Sequence, residues 1–224
     1  MGTLTRSAAA AALIGLLAVW LPANAATAST SANGGASDAD AALVSQIAAR
    51  LAREKGVRSR FTQTQTLAAM KAPLVSTGSL LFFRDRGVIW QIETPYKKTW
   101  VMSDAGMVVL DAAGQRVAGG APQGSRGAAE IAKMMRSMLG GDLSALYSQF
   151  DVAARGTPAR WRMRLVPRQP QIAQALRSID MDGGDFLQGL RITLANGDVT
   201  QFDFSGSTAV NELALADQKL FGTP

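Results

Sequence analysis

The stretch from Thr77 to Pro95, TGSLLFFRDRGVIWQIETP, constrains the fold more than any other part of the chain. Two apolar runs flank a polar tip of Arg84, Asp85 and Arg86, followed by Gly87. In the second run Val88, Trp90 and Ile92 alternate with Ile89, Gln91 and Glu93. Successive side chains of a strand point to opposite faces, so this alternation around a short tip predicts an antiparallel hairpin. One face of that hairpin is large, aromatic and uncharged. It covers either an ordinary core or a cavity that holds something greasy.

The remaining chain supplies the setting. Arg6 precedes an apolar run from Ala8 to Leu21, then Pro22 and the triplet Ala23-Asn24-Ala25. A basic start, a short apolar centre and a small-residue end predict a secretory signal peptide over residues 1–25, cleaved after Ala25. The run is short for a membrane span. Residues 26–37 (ATASTSANGGAS) are small and polar, cannot bury apolar surface, and are expected to form a flexible leader. Residues 38–224 then have the size of one domain. No second apolar run approaches spanning length, so a soluble exported product is expected.

Asp38 to Lys55 predicts a helix, with Leu43, Val44, Ile47, Ala48 and Leu51 on one stripe and Gly56 as its stop. Val57 to Leu67 alternates as a strand, with Val57, Ser59, Phe61, Gln63 and Gln65 on one side. After the hairpin, Lys98–Ser103, Met107–Asp111 and Arg116–Ala118 read as short strands separated by turns at Asp104-Ala105-Gly106 and Ala113-Gly114-Gln115. Close spacing of short strands predicts a meandering antiparallel sheet. A glycine-rich loop over residues 119–127 leads to a helix over 128–139, where Ile131, Met134, Met135, Met138 and Leu139 fall on one face. Gly140-Gly141 stops it, and Asp142 caps a short helix through Tyr147. Strands return at 150–154, 159–166, 178–181, 189–195 and 199–204, with Asn196-Gly197 as a hairpin turn. The tail from Asn211 to Phe221 is expected to pack Leu213, Leu215 and Phe221 on the sheet.

Composition removes most catalytic chemistry. The chain has no histidine and no cysteine, so serine triads, cysteine nucleophiles, disulfides and zinc sites of the usual ligand sets drop out. Paired carboxylates, serine with lysine, or oxygen-only metal sites remain, and no acidic pair stands in a recognisable setting. Asp180-Met181-Asp182-Gly183-Gly184-Asp185 begins like a calcium loop, yet Arg191 stands where the loop needs glutamate. A tight acidic turn between strands is the expectation there. Gly119-Gly120 and Gly124 lack the lysine of a phosphate-binding loop. No catalytic residue, metal or cofactor is expected. The charge balance, 23 basic against 17 acidic residues, is scattered rather than striped, so a solvated surface is expected and nucleic acid is not.

Three features retain two readings each. Trp90, Trp100 and Trp161 fit a core, or the wall of a hollow under a single lid. The methionine-rich helix fits a core, or a lid for varied apolar partners, because methionine adapts its shape. Arg84 is either a solvated turn charge or a donor to backbone carbonyls.

Phe61-Thr62-Gln63, then Gly78, the run Leu80 to Phe83, Arg84, Trp90 and Pro95 resemble the N-terminal half of the periplasmic outer-membrane lipoprotein carrier (LolA-like) family. The matching stretch covers residues 43–111, and the C-terminal half follows in element order. Asp85 replaces the proline that commonly follows the family's arginine, which marks a divergent branch. The resemblance implies an α+β fold: an incomplete, unclosed antiparallel β-barrel of about ten or eleven strands, with helices forming a lid over an apolar cavity. It implies acyl chains lodged among Phe61, Leu80, Phe82, Val88, Trp90, Ile92, Trp100, Met102, Trp161 and Met163. Ile131, Met134, Met135, Met138 and Leu139 would form the lid helix, closed by hydrogen bonds from Arg84. The implied role is a periplasmic shuttle carrying acylated lipoprotein or lipid from an inner-membrane ABC-type transporter to an outer-membrane acceptor, acting as a monomer. The alternative is a lipid- or lipoprotein-sensing domain of the same fold that signals through a protein partner. A two-carboxylate hydrolase is a distant third.

Overall fold

The computed structural model describes residues 38–117 and 144–222. The expected signal peptide and leader lie outside the described residues, as do the glycine-rich loop and the expected lid helix with Ile131, Met134, Met135, Met138 and Leu139.

Helix α1 (Asp38–Leu51) opens the domain and is followed by five strands, β1 (Gly56–Thr66), β2 (Leu74–Phe83), β3 (Gly87–Thr94), β4 (Lys98–Ser103) and β5 (Gly106–Leu110). After the short helix α2 (Ser144–Gln149) come β6 (Phe150–Thr157) and β7 (Arg160–Pro167). A single turn of helix, α3 (Pro170–Ala173), leads to β8 (Leu176–Gly183), β9 (Leu187–Leu194), β10 (Val199–Val210) and the closing helix α4 (Leu215–Phe221).

All ten strands form one antiparallel sheet in the order β5-β4-β3-β2-β1-β10-β9-β8-β7-β6. Each half of the chain is a meander in which neighbours in sequence are neighbours in the sheet. The two meanders join where β1 pairs with β10, and β5 and β6 are left as edges. The sheet is therefore an unclosed barrel wall with a few helices, the α+β architecture expected above. The ten strands among the described residues fall within the expected range of about ten or eleven.

Register sorts the side chains into an inner and an outer face, because directly opposed residues of an antiparallel pair share a face. On the inner face Val44 and Ile47 of α1 pack with Leu146, Phe150, Val152, Trp161, Leu165 and Met181, all buried. Helix α1 thus closes the inner face at the β6–β8 end of the sheet, which is what its apolar stripe was built to do. On the outer face Leu81, Ile89 and Val101 are buried under Leu213, Leu220 and Phe221 from the chain's end. The sequence expectation for this tail is met by Leu213 and Phe221, while Leu215 is 75% exposed at the first turn of α4. Arg58 holds that helix to the sheet through a 2.7 Å ion pair with the largely buried Asp217.

Several boundaries differ from the periodicity reading. Helix α1 ends at Leu51, four residues short of Lys55. The strand expected over 116–118 is reduced to a single bridge between Leu110 and Arg116. The strand expected over 178–181 extends to Gly183, so Asp182, expected in a turn, joins Asp180 inside β8, and the two face Arg162 and Arg164 across the ladder. The turn itself is displaced to Gly184–Phe186. Cross-strand charge pairing explains the displacement, since the register turns an apparent acidic turn into two favourable opposite-charge positions.

Two contacts set the N-terminal half. Gly78 lies opposite Phe61 and lets the β3 backbone approach: a Cβ there would meet the Gln91 carbonyl oxygen at 1.9 Å and the Phe61 ring at 2.8 Å. Arg84, just past β2, ties the hairpin tip to the exit of α1. Its backbone N–H donates to the Lys55 carbonyl at 2.8 Å, and its guanidinium donates to the carbonyls of Glu54 (3.1 Å) and Ala52. Those carbonyls belong to the turn that follows α1 and have no intrahelical donors, so a cation beside the helix C-terminus satisfies them in both charge and hydrogen bonding. Gly78→Ala should lower the stability of the fold by about 2 to 4 kcal/mol, because the colliding atom is backbone and cannot yield cheaply; a denaturant melt unchanged from wild type would contradict this. Arg84→Leu should cost about 2 kcal/mol. It should also speed amide hydrogen exchange in the last turn of α1 more than in β6 or β7.

Candidate functional site

The aromatic face of the β2–β3 hairpin turns inward. Val88 opposes Phe82, Trp90 opposes Leu80, and Ile92 opposes Gly78. Phe61 of β1 fills the space that Gly78 leaves. From the other direction β10 brings Phe204 opposite Phe61 and Phe202 opposite Gln63. Phe61, Leu80, Phe82, Val88, Phe202 and Phe204 form one buried cluster, with Trp90, Ile92, Met102, Leu187, Leu190 and Ile192 partly buried against it.

Its centre is aromatic. The Phe61 and Trp90 rings lie 4.2 Å apart at a tilt of 31°, and Phe202 meets Trp90 edge-on at 5.2 Å. Phe204 stacks beyond Phe202 at 6.3 Å. These separations are those at which aromatic quadrupoles attract, so the rings form a cohesive, smooth surface. The cluster is continuous with the α1-covered core, because Leu187 and Leu190 pack against both. Among the described elements, however, α1 packs on β6, and α4 packs on β3 and β4 from the outer face.

The ten residues singled out from the sequence divide accordingly. Phe61, Leu80, Phe82, Val88, Trp90, Ile92 and Met102 come together in the aromatic cluster. Trp100 opposes Trp90 on the same face at the strand's half-buried edge, where the Lys98 ammonium lies 5.3 Å from its ring centre. Trp161 and Met163 belong instead to the core beneath α1. The Trp161 indole N–H donates to the Gly184 carbonyl at 3.0 Å, a bond that locks the ring in place. Arg84 does donate to backbone carbonyls, and those it reaches among the described residues belong to the end of α1 and its following turn. Its Nε is buried with no hydrogen-bond partner among the described residues.

Sequence reasoning missed Phe202, Phe204, Leu190 and Ile192 as members of this face. The alternation of Thr200, Phe202 and Phe204 with Gln201 and Asp203 marked the strand and its apolar side. Nothing local signalled that this strand would lie beside β1. Among the described residues no group of three or more acidic side chains gathers to hold a metal, and no helix is long and apolar enough to cross a membrane. Among the described residues, Tyr147 of α2 has a displaced equilibrium: burial, and then the charge of Asp40, push its phenol above the usual value. It lies in the α1 core, away from the aromatic cluster.

Comparison with known proteins gives the site its context. No protein of curated function matches the sequence. Among solved structures, a DUF1329 family protein from Desulfovibrio piger ATCC 29098 is 12% identical, with a TM-score of 0.45 over 84% of this chain and 98% of that one. A LolA superfamily protein from Nitrosomonas europaea is 9% identical, with a TM-score of 0.40 over 81% and 96%. MucB in the Pseudomonas aeruginosa MucA/MucB complex is 14% identical with a TM-score of 0.46, over 78% of this chain and 59% of that one. These are distant likenesses. The family model described as outer membrane lipoprotein carrier protein LolA-like matches residues 36–220, nearly the whole domain. The chain belongs to that LolA-like family.

Proposed function

We propose that the protein is a periplasmic carrier that receives acyl chains of lipoproteins, or of a related amphiphile, on the aromatic inner face of its open barrel wall. The observation that supports this reading is the second apolar cluster itself. Phe61, Trp90, Phe202 and Phe204 form a broad uncharged face that extends beyond the core that α1 closes. A small domain that needed only stability would be served by one helix-covered core.

Each CH₂ group transferred from water to such a face contributes about 0.8 kcal/mol, so a few acyl chains bind tightly with no polar chemistry at all. Because the driving force is non-directional, it tolerates chains of varied length. Export by the signal peptide of residues 1–25 would place the domain of 38–224 in the periplasm, with 26–37 as a tether-like leader. The apolar stripe of Ile131, Met134, Met135, Met138 and Leu139 is the proposed cover. An inner-membrane transporter would load the carrier and an outer-membrane acceptor would unload it. No catalytic group enters the reading.

Fatty acid brominated near its methyl end tests the location. It should quench tryptophan emission of the exported protein; the quench should shrink by half or more in Trp90→Phe and persist in Trp161→Phe. Quenching that follows Trp161, or none at all, would overturn the reading. A protein that loads chains but never delivers them to acceptor vesicles would be a sensor of the same fold.

A further inference from the structure

Among the described positions that strand pairing assigns to the inner face, Lys98 is the one that carries a charge. It opens β4 opposite Ile92. Ile92 in turn opposes Gly78, Gly78 opposes Phe61, and Phe61 opposes Phe204. Directly opposed residues share a face. A single row therefore runs across neighbouring strands from β4 to β10, with a cation at one end and phenylalanines at the other. At about 4.8 Å between neighbouring strands, the row extends roughly 19 Å along the wall.

Lys98 is exposed, and its ammonium lies 5.3 Å from the centre of the Trp100 ring. Trp100 opposes Trp90, so this contact holds the lysine stem along the aromatic face. The ring engages the cation through its quadrupole and not through an oxygen acceptor, while the ammonium carries three N–H donors. The carboxylate of Glu93, next to Ile92 in the chain, is engaged by Arg60 at 3.0 Å. Arg84, the cation past the far end of β2, is committed to carbonyls of the turn that follows α1. An apolar row that ends on a cation is the inverse of an anionic amphiphile: hydrocarbon matches the rings, and an oxyanion matches the ammonium.

We propose that Lys98 is the head-group site of the acyl face, pairing with the oxyanion of a carboxylate or phosphate amphiphile whose hydrocarbon runs over Ile92 and Phe61 toward Phe204. The inference rests on the acyl-binding reading and adds to it the charge class of the cargo and the direction in which it lies. Hydrocarbon laid over Trp100 and Trp90 displaces water beside the ammonium, and the attraction between the two charges strengthens as the local dielectric falls. A neutral amphiphile with the same chain gains the burial without the pairing. Apolar contact then supplies affinity, and Lys98 selects anionic over neutral heads.

Displacement of diphenylhexatriene, an uncharged hydrocarbon reporter, from the exported protein tests the site. The competitors share one chain length and are used below micelle formation: dodecanoate, dodecyl phosphate and the neutral monododecanoylglycerol. In Lys98→Met, which keeps an unbranched stem, about fivefold more of at least one anionic competitor should be needed. The neutral one should displace equally from variant and wild type. Lys98→Gln should behave as Lys98→Met does, Lys98→Arg should restore the wild-type preference, and high salt should weaken that preference in wild type. The anionic arm that shifts distinguishes a carboxylate head from a phosphate. Unchanged displacement by both anionic competitors would overturn the inference and leave acyl binding standing. An equal shift for the neutral competitor would also overturn it, by showing that the lysine stem contributes packing and not charge. If the wild-type protein fails to bind the reporter, the acyl-binding reading fails and this inference fails with it.

Discussion

The pairing of β1 with β10 is the interaction on which the rest of the structure depends. It runs from Gly56 opposite Val210 to Thr66 opposite Val199 and joins segments from the two ends of the domain. Everything else in the sheet is local, one hairpin after another, and would form two separate half-sheets without this seam. Long-range pairing carries a loop-closure entropy cost that local hairpins avoid. The seam offsets it with long ladders and with aromatic contacts: Phe61 meets Phe204 and Phe202 on the inner face. The same contacts that unite the halves therefore create the centre of the candidate site.

Two covers act on opposite faces of this wall, and their placement divides the interior. Helix α1 is packed by Val44 and Ile47 over the β6–β8 end, where Trp161 is fixed by its indole hydrogen bond. Helix α4 lies across β3 and β4 on the outside and is held by Arg58 and Asp217. Between them, Arg84 joins the central hairpin to the exit of α1 through carbonyls of the turn that follows the helix. One cation thereby couples the position of the helix that closes one core to the hairpin that carries Trp90. Movement of the hairpin relative to α1 would have to break charge-assisted bonds, which are stronger than neutral ones but fewer than a ladder's.

An apolar face that binds and later releases cargo must avoid becoming ordinary core. Large rings at attractive distances give a smooth surface whose contacts with a chain are many, weak and non-directional.

The sequence by itself determined the elements and their faces. The alternation in Thr77–Pro95 predicted the hairpin with Val88, Trp90 and Ile92 on one side, and the register confirms that side as a single face. Absence of histidine and cysteine narrowed the chemistry, and the motif from Phe61 to Pro95 pointed to the LolA-like family that the family match establishes. Local patterns carried this much because period and composition are properties of a few adjacent residues. Only the tertiary structure decided which strands meet. It set Phe202 and Phe204 beside Phe61, moved Trp161 and Met163 into the core under α1, and directed Arg84 to the carbonyls of Ala52 and Glu54. It also extended the expected strand through Asp182, with Arg162 opposite it. Those outcomes depend on register between segments far apart in the chain, and register is decided by which long-range packing buries the most apolar surface while leaving the fewest polar groups unpaired.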